Sequence, residues 1–236
     1  MSTRNQNLWV PFADIMTALM LIFLLIVVVM FSLQDDRQES VVLHVAHIEK
    51  FDSITDDLLK DLNNAFSGKR DEWGIRVSED LTVKFEKPEI IFDQDQSEIK
   101  DGFKSILDSF VPTYLSIISK EKYQDSIKEV RIEGHTADVS QVHDTYMKTV
   151  HLSQNRAREI LRYILESQHF NNLGEEEKNR YTFLLSANGF GYGRTIDDDG
   201  NFVYSTGRPV SSNSRRVEFR VVTNSDEVVK KIIGQR

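Results

Sequence analysis

One long apolar segment near the start of the chain constrains its fold more than any other feature. Residues 12–33 carry a single charged side chain, that of Asp14, in an otherwise apolar run. At about 1.5 Å per residue, a helix of this length is about 33 Å long, enough to cross a bilayer. A signal peptide would have a shorter apolar region and a small-residue cleavage site, which FSLQDDRQES does not offer. We therefore predict a transmembrane helix over 11–33, preceded by a short cytoplasmic segment, 1–10.

The charges that flank this helix predict its orientation. Arg4 precedes the helix, whereas Asp35 and Asp36 follow it. The positive-inside rule then favours a cytoplasmic N-terminus, with the polar remainder of the chain on the far side of the membrane. The chain has no cysteine, which neither requires nor opposes an oxidising compartment. Its net charge of −8, without a basic stripe, argues against direct nucleic-acid binding.

Asp14 is the residue of this segment that most needs an explanation. Pro11 suits the first turn of a helix, so Asp14 lies about one turn in, with Thr17 and Ala18 on the same face. A carboxylate within a membrane span opposes insertion, and it usually marks an ion or proton path. The alternative is an interfacial aspartate that complements the positive end of the helix dipole.

The segment 34–74 is predicted to be an amphipathic helical linker. Its apolar residues recur at a spacing of mostly three to four positions: Val41, Val45, Ile48, Phe51, Leu58, Leu62 and Phe66. Such a stripe indicates packing, for example against a second copy of the chain. His44 and His47 share a face but have no further ligand in the sequence, so we predict no metal site there. Residues 67–74 carry glycine and charge, which indicates a hinge.

The remainder of the chain alternates between strand and helix patterns. IRVSEDLTVKFE predicts a β-hairpin, and a helix with a break or restart at Pro112 follows within 97–120. Strands are then predicted in IKEVRIEGHT, YTFLLSANGFGYG and RRVEFRVV, with a helix in LSQNRAREILRYILESQ. The fold class is α+β, with helices packed on one face of a mixed sheet over 75–223 and a tail at 224–236.

The apolar segment resembles a known motif. FADIMTALMLIFLL is similar to the transmembrane helix of the MotB family, the stator subunits of ion-driven rotary motors. The resemblance implies that Asp14 carries the coupling ion, H⁺ or Na⁺, and that Thr17 and Ala18 line the pore or helix-packing face. It also implies a homodimer inside a pentameric MotA-like ring, a 5:2 assembly, and no other cofactor.

The second half of the chain resembles the OmpA-like domain, which binds peptidoglycan. The matching blocks are IIFDQDQSEI, IEGHTAD, LSQNRA, NGFG and NSRRVEFRV. The resemblance implies that Arg156 holds a diaminopimelate carboxylate in the peptide stem and that an aspartate holds its amine. Asp138 is shifted by one residue from the usual Gly-His-Thr-Asp aspartate, and Thr149 stands where the family often has asparagine.

The resemblance adds neighbouring residues to this predicted peptidoglycan site. Leu152 belongs to the binding motif, while His135 and Arg216 are possible supporting residues. The pattern of LSQNRA also places Ser153 as a helix N-cap and Arg156 in the first turn, beside free backbone N–H groups that favour an anion. The alternative for Arg156 is an ordinary exposed arginine that pairs with Glu159 or with solvent.

Several functions stay open on these grounds. No nucleophile elbow, P-loop or zinc spacing occurs, so we predict no enzyme. The run DDDGN at 197–201 lacks the downstream glutamate of a calcium loop and predicts a solvated turn. The short N-terminus and the form of the apolar helix resemble the ZorB components of Zorya anti-phage systems, which implies cytosolic defence effectors as possible partners. The alternatives are a flagellar MotB-type stator and a passive wall-anchored structural protein.

Overall fold

The structure, a computed structural model, describes the chain over residues 9–137 and 143–224, with side chains described over 11–31, 53–137 and 145–224. The chain divides into two compact units, Met1–Lys50 and Phe51–Arg236. Asp138, the tail beyond Asn224 and the side chains of the histidine pair at 44 and 47 lie outside the described part. The predictions made for them stay predictions.

Helices and strands alternate through the second unit. The described helices are α1 (Trp9–Phe66), α2 (Arg70–Trp73), α3 (Pro88–Ile91), α4 (Asp101–Ile118), α5 (Glu121–Gln124), α6 (His143–Glu166), α7 (Gln168–Asn171), α8 (Glu175–Leu184) and α9 (Val203–Thr206). The described strands are β1 (Ile75–Val77), β2 (Thr82–Phe85), β3 (Ile127–Gly134), β4 (Leu185–Gly189) and β5 (Val217–Thr223).

The first part of α1 has the dimensions of a membrane span. Pro11–Phe31 comprises 21 residues with a mean hydropathy of 2.8, and none of this stretch is buried within the structure. A helix of that length is about 30 Å long, which matches the hydrocarbon core of a bilayer. Within the described residues, it is the one helix that is long and apolar enough to cross a membrane.

The last turns of α1 belong to the core of the second unit. Leu58, Leu62 and Phe66 are buried, and the ring of Phe66 lies 5.0 Å from that of Phe110 in α4. The sequence predicted an amphipathic stripe here and suggested a second copy as its partner. This part of the stripe packs instead against the chain's own domain. The hydrophobic effect is non-directional, so burial against any apolar surface stabilises these side chains.

The five strands form one mixed sheet in the order β1-β2-β5-β3-β4. The predicted hairpin is present as antiparallel β1 and β2, and β3 with β4 is the parallel pair. An aromatic cluster from β2, β5 and α4 fills one face, with the rings of Phe85 and Phe110 5.1 Å apart and those of Phe110 and Phe219 5.0 Å apart. The predicted α+β class, with helices against a mixed sheet, is confirmed.

Pro112 does not interrupt α4, so the predicted break is wrong. The helix runs from Asp101 to Ile118 with the proline inside it. A proline in a helix interior removes one hydrogen bond and costs about 3 kcal/mol. Fully buried apolar side chains on both sides of it, Leu107, Phe110 and Tyr114 among them, supply more than this by removing their surface from water.

The start of α6 also differs from the prediction. The helix begins at His143, ten residues before Ser153, so that serine is not an N-cap. Its hydroxyl donates to the carbonyl of Val150 and accepts a hydrogen bond from the N–H of Gly191. The predicted strand in YTFLLSANGFGYG is shorter than expected, because Tyr181–Leu184 completes α8 and only Leu185–Gly189 forms β4.

The close approach of α6 to β3 requires a glycine at position 134. A Cβ added there would overlap the carbonyl oxygen of Ser153, which belongs to the helix backbone and cannot turn aside. We expect Gly134→Ala to lower the free energy of unfolding by about 2–3 kcal/mol through overpacking. Urea denaturation of the full chain in detergent measures the effect.

Gly102→Ala is the matched control for this substitution. Gly102 lies in α4 with open space where its Cβ would be. Alanine should stabilise that helix by about 0.5–1 kcal/mol, because it loses less backbone entropy on folding than glycine does. Equal effects of the two substitutions would contradict the close contact at Gly134.

Candidate functional site

A cleft of about 900 Å³ lies at the end of the sheet where β3 meets α6. Four segments form its walls: residues 88–100, 135–137, 149–156 and 210–217. The cleft contains most of the peptidoglycan-site residues predicted from the sequence: Thr149, Leu152, Arg156, His135 and Arg216. Asp138, the predicted contact to an amine, follows directly after the described wall residue Ala137 but is outside the described part.

The LSQNRA motif fastens α6 to the strands and directs two side chains to the cleft. The side-chain amide of Gln154 donates to the carbonyl of Ala187 over 3.0 Å, and its carbonyl accepts from the N–H of Gly189 over 2.7 Å. Leu152 and Arg156, on the neighbouring face, line the cleft. Within this motif, Gln154 therefore attaches the helix to the strands, whereas Leu152 and Arg156 contribute to the cleft.

Arg156 is buried and holds another wall of the cleft in place. Its Nε donates to the carbonyl of Gln96 over 2.8 Å, and its Nη2 donates to the carbonyl of Asp93 over 3.1 Å. The guanidinium carbon lies 4.9 Å from the centre of the Phe92 ring. Arg156 lies in the interior of α6, so the predicted position in a first helical turn is wrong. Its neighbours are backbone carbonyls, and Glu159 pairs with Arg162 instead.

Burial lowers the pKa of Arg156, and two cleft charges act on it in opposite directions. The carboxylate of Asp95 raises this pKa, while the guanidinium of Arg215 lowers it. An arginine stays protonated despite such shifts. Both charges thus lie within electrostatic reach of Arg156, and both residues line the cleft.

Two threonines supply polar atoms to the cleft walls. The Thr149 hydroxyl donates to the carbonyl of Tyr146 over 2.8 Å, so it is occupied within its own helix. The Thr136 hydroxyl is buried and has no hydrogen-bond partner among the described residues. Since buried polar groups are normally hydrogen-bonded, Thr136 offers an unused donor and acceptor at the wall of the cleft.

His135 and Arg216 belong to a buried charged network beside the cleft. The His135 Nε2 lies 3.7 Å from carboxylate oxygens of both Glu133 and Glu218. The Arg216 Nε donates to the Oε1 of Glu218 over 2.6 Å. Arg220 Nε lies 3.4 Å from an oxygen of Glu133. Each carboxylate therefore has a guanidinium within ion-pair distance.

Burial lowers the pKa of His135, and the nearby carboxylates do not reverse this shift. Its imidazole is therefore neutral at pH 7, stacked 5.4 Å from the ring of Phe190. Glu133, His135 and Glu218 could offer one ligand atom each to a metal ion, all within 4.8 Å of one another. A divalent cation there would meet the charges of Arg194, Arg216 and Arg220, so we interpret the group as an ion-pair network.

Sequence reasoning missed the cleft wall formed by residues 92–99. A bridge between Phe92 and Ile99 closes this loop, and Asp95 within it has a positive φ of 57°. It also left undecided which of the two adjacent arginines is exposed. Arg216 is buried, whereas Arg215 is exposed and lines the cleft. The alternation of strand residues predicted opposite faces without showing which face was which.

The apolar segment is helical, so Asp14 shares one face with Thr17 and Ala18, which lie three and four positions later. Asp14, Thr17 and Ala18 lie on described, exposed turns of α1. The Thr17 hydroxyl donates to the carbonyl of Ala13 and is therefore occupied within the helix.

Comparison with known proteins gives one relative over nearly the full length. The chain is 29% identical over 242 residues to the Zorya protein ZorB of Escherichia coli, which covers 98% of this chain and 94% of the relative. The predicted resemblance to ZorB is confirmed. The aligned part of this chain includes both the apolar helix and the second unit. No protein-family model matches the sequence.

Solved structures with some similarity to the chain are wall-anchor and MotB domains. A MotB-like protein from Desulfovibrio vulgaris has a TM-score of 0.47 and 18% identity, covering 74% of this chain and 94% of that structure. The cell wall anchor of the type VI secretion system of Pseudomonas aeruginosa has a TM-score of 0.43 and 16% identity, covering 69% of this chain and 96% of that structure. The periplasmic domain of Helicobacter pylori MotB has a TM-score of 0.40 and 16% identity, covering 65% of this chain and 84% of that structure. These scores are too low to bear on function.

Proposed function

We propose that the chain is a peptidoglycan-anchored stator-type subunit of an ion-driven inner-membrane rotary motor that serves Zorya-type anti-phage defence. The observation that carries this proposal is the similarity to the Zorya protein ZorB, which spans 98% of the chain. The alignment with this relative includes both the apolar helix and the domain that carries the cleft. A subunit that links the membrane to the cell wall needs both parts.

In this proposal, Asp14 carries the ion. It is the one formally charged residue of the apolar segment, and Thr17 and Ala18 form the narrow small and polar side of the same helix. A carboxylate in a membrane helix is costly unless it faces a protein interior or a polar path. Two copies of α1 inside a pentameric MotA-like ring would provide such a path for H⁺ or Na⁺.

The cleft is the proposed wall anchor. Its buried arginine, its unused threonine hydroxyl and its exposed charges of both signs suit a ligand with carboxylate and ammonium groups. The peptide stem of peptidoglycan has both. In this arrangement the N-terminus is cytoplasmic and the second unit is periplasmic, and torque arises because the surrounding ring turns around subunits that the wall holds still.

No catalytic step is part of the proposal. The defence role requires cytosolic effectors that respond to the turning ring, and it requires no direct nucleic-acid binding by this chain. A flagellar stator and a passive wall tether are the alternatives, and the cleft is equally suitable for each of them.

Deletion of the gene in its native host tests the defence role against motility. We expect the plating efficiency of susceptible phages to rise by several orders of magnitude, with swimming in soft agar unchanged. Complementation with the intact gene should restore protection. A deletion strain that stops swimming and remains protected would show that the chain serves motility instead.

A further inference from the structure

His135 is buried with polar atoms that the folded protein leaves unpaired. Its ring is 2% exposed, and neither ring nitrogen forms a hydrogen bond with any described residue. The carboxylate oxygens of Glu133 and Glu218 that face its Nε2 are each 3.7 Å away, which is beyond hydrogen-bond distance. Since buried polar groups are normally hydrogen-bonded, an imidazole in this state requires an explanation.

The two carboxylates near this ring already have cationic partners. Glu218 pairs with Arg216 over 2.6 Å and with Arg220 over 3.5 Å. Glu133 lies 3.4 Å from Arg220 and 3.7 Å from Arg194. Among the described residues, the network thus has three guanidinium groups for two carboxylates. A proton on the imidazole would add a positive charge without a carboxylate of its own.

The charged groups on the surrounding elements are positive or balanced in sign. Lys84 of β2 lies directly opposite Glu218 in the sheet. Besides Arg216, the cleft side carries three acidic and three basic side chains: Glu89, Asp93, Asp95, Lys100, Arg156 and Arg215. Burial lowers the pKa of His135, with Arg216 acting in the same direction and the two carboxylates against it. The folded protein therefore favours the neutral ring.

The backbone of His135 helps to hold one wall of the cleft. Its N–H donates to the carbonyl of Arg216 over 3.1 Å, and the N–H of Thr136 donates to the carbonyl of Gly191 over 3.0 Å. These two hydrogen bonds fix the segment 135–137, which lines the cleft. A change in the charge of the ring thus acts at the root of this wall.

We propose that His135 is a pH-sensitive switch that loosens the 135–137 wall of the cleft in acid. The buried ring stays neutral while the fold is closed around it. When this segment opens, the ring is solvated and takes up a proton as an ordinary histidine does, below about pH 6.5. Acid then favours the opened state, because that state binds one proton more than the closed state. The switch acts on the fold of the wall, so it operates whichever ligand the cleft binds.

Urea denaturation of the full-length protein in detergent, at pH 7.5 and pH 5.5, tests this proposal. The two values lie on either side of the ordinary pKa of histidine, about 6.5, and above those of carboxylates. The variants are His135→Gln and His135→Phe, neither of which can take up a proton, and phenylalanine keeps a ring against Phe190. His151→Gln is the matched control, since it removes an exposed histidine from α6.

Between pH 7.5 and pH 5.5, we expect the unfolding equilibrium constant of the wild type to rise about 5- to 10-fold more than that of either His135 variant. The upper limit is the effect of one proton that binds only on unfolding, with a pKa of about 6.5. His151→Gln should follow the wild type.

Hydrogen exchange measured by mass spectrometry locates the effect. After correction for the intrinsic pH dependence of exchange, the peptide that spans 133–137 should exchange faster in acid in the wild type and not in His135→Gln. Peptides from α4 are the internal reference.

Other results would overturn the proposal. Equal pH dependence in the wild type and both His135 variants would show that the ring takes up no proton on opening. A wild type that gains stability in acid relative to these variants would show that the carboxylates hold a protonated histidine in the folded state. An acid effect on unfolding without faster exchange at 133–137 would show that the cleft wall does not open on its own.

Discussion

Asp14→Asn is expected to abolish phage protection completely while sacculus binding and thermal stability stay at wild-type values. Asparagine has nearly the size and shape of aspartate, but its neutral amide cannot take up and release a proton or offer a negative charge to Na⁺. The apolar helix should insert at least as well, since a neutral side chain is less costly in a membrane. Plating efficiency of phage on cells that express the variant measures the effect.

Two further variants make this prediction specific. Asp14→Glu keeps an ionisable carboxylate on a longer side chain and should retain part of the protection. Asp57→Asn removes an exposed carboxylate from α1 outside the apolar segment and should protect as the wild type does. Normal protection by Asp14→Asn would exclude ion carriage at this residue and would favour the passive tether.

Arg216→Met is expected to lower the free energy of unfolding by about 3–5 kcal/mol at pH 7. It removes the guanidinium that donates a hydrogen bond to the buried carboxylate of Glu218, and among the described arginines only Arg220, 3.5 Å away, still pairs with that carboxylate. Arg216 and Glu218 are both nearly inaccessible to solvent, at 4% and 2% exposure. The same guanidinium donates to the carbonyls of Arg194 and Ser214, over 3.3 Å and 3.2 Å, which would also lose a donor. Urea denaturation of the full-length protein in detergent measures the loss.

Arg131→Met serves as the control for the loss of an arginine. Its ion pair with Glu129 is 2.8 Å long, but both side chains are partly exposed, at 38% and 28%. Exposed ion pairs contribute about 0–1 kcal/mol, since solvent screens them. Similar losses in the two variants would contradict the importance of burial at Arg216.

The stability loss in Arg216→Met should depend on pH. Burial acts to raise the pKa of Glu218, but the charge and the hydrogen bond of Arg216 act against it, and the folded-state pKa lies below the ordinary value of 4.5. In the wild type this group therefore stabilises the fold above that ordinary value, and the contribution disappears as the pH falls through the folded-state pKa. Without Arg216, burial dominates and the pKa rises, so protonation becomes favourable in the folded state.

The difference in unfolding free energy between variant and wild type should consequently be smaller at pH 5 than at pH 7.5. Denaturation curves at the two pH values provide the measurement, with Arg131→Met as a reference whose pH dependence should be smaller because its ion pair with Glu129 is partly exposed. A difference that is the same at both pH values would show that lost packing, rather than an uncompensated carboxylate, causes the effect.

Local patterns predicted the strands well, because a strand's alternation is set within a few residues. The hairpin at 75–85 and the strand at 217–223 both follow directly from the period-two pattern of Val83, Phe85, Val217 and Phe219. The helices were less predictable. Ser153 has the residue type of an N-cap, but nothing local shows that a polar stretch before it, beginning at His143, continues the helix.

The residues that line the cleft were predictable from the sequence, but the hydrogen bonds that they make were not. Sequence motifs identified Thr149, Leu152 and Arg156, which the fold brings together. That Arg156 binds carbonyls about sixty positions earlier in the chain depends on tertiary packing, which no local pattern encodes. The left-handed backbone of Asp95 had a weak signal, since aspartate tolerates that conformation better than most residues.

The burial of Leu58, Leu62 and Phe66 gives the end of α1 a mechanical property. These side chains interlock with the aromatic core, and nearby Asp61 accepts hydrogen bonds from Lys120 and Tyr123. A tensile or torsional load that acts on this part of the helix is opposed by the cohesion of the domain itself. A flexible linker would resist such a load only through its conformational entropy. These residues are part of a packed core, so this part of the helix is released only when the domain begins to unfold.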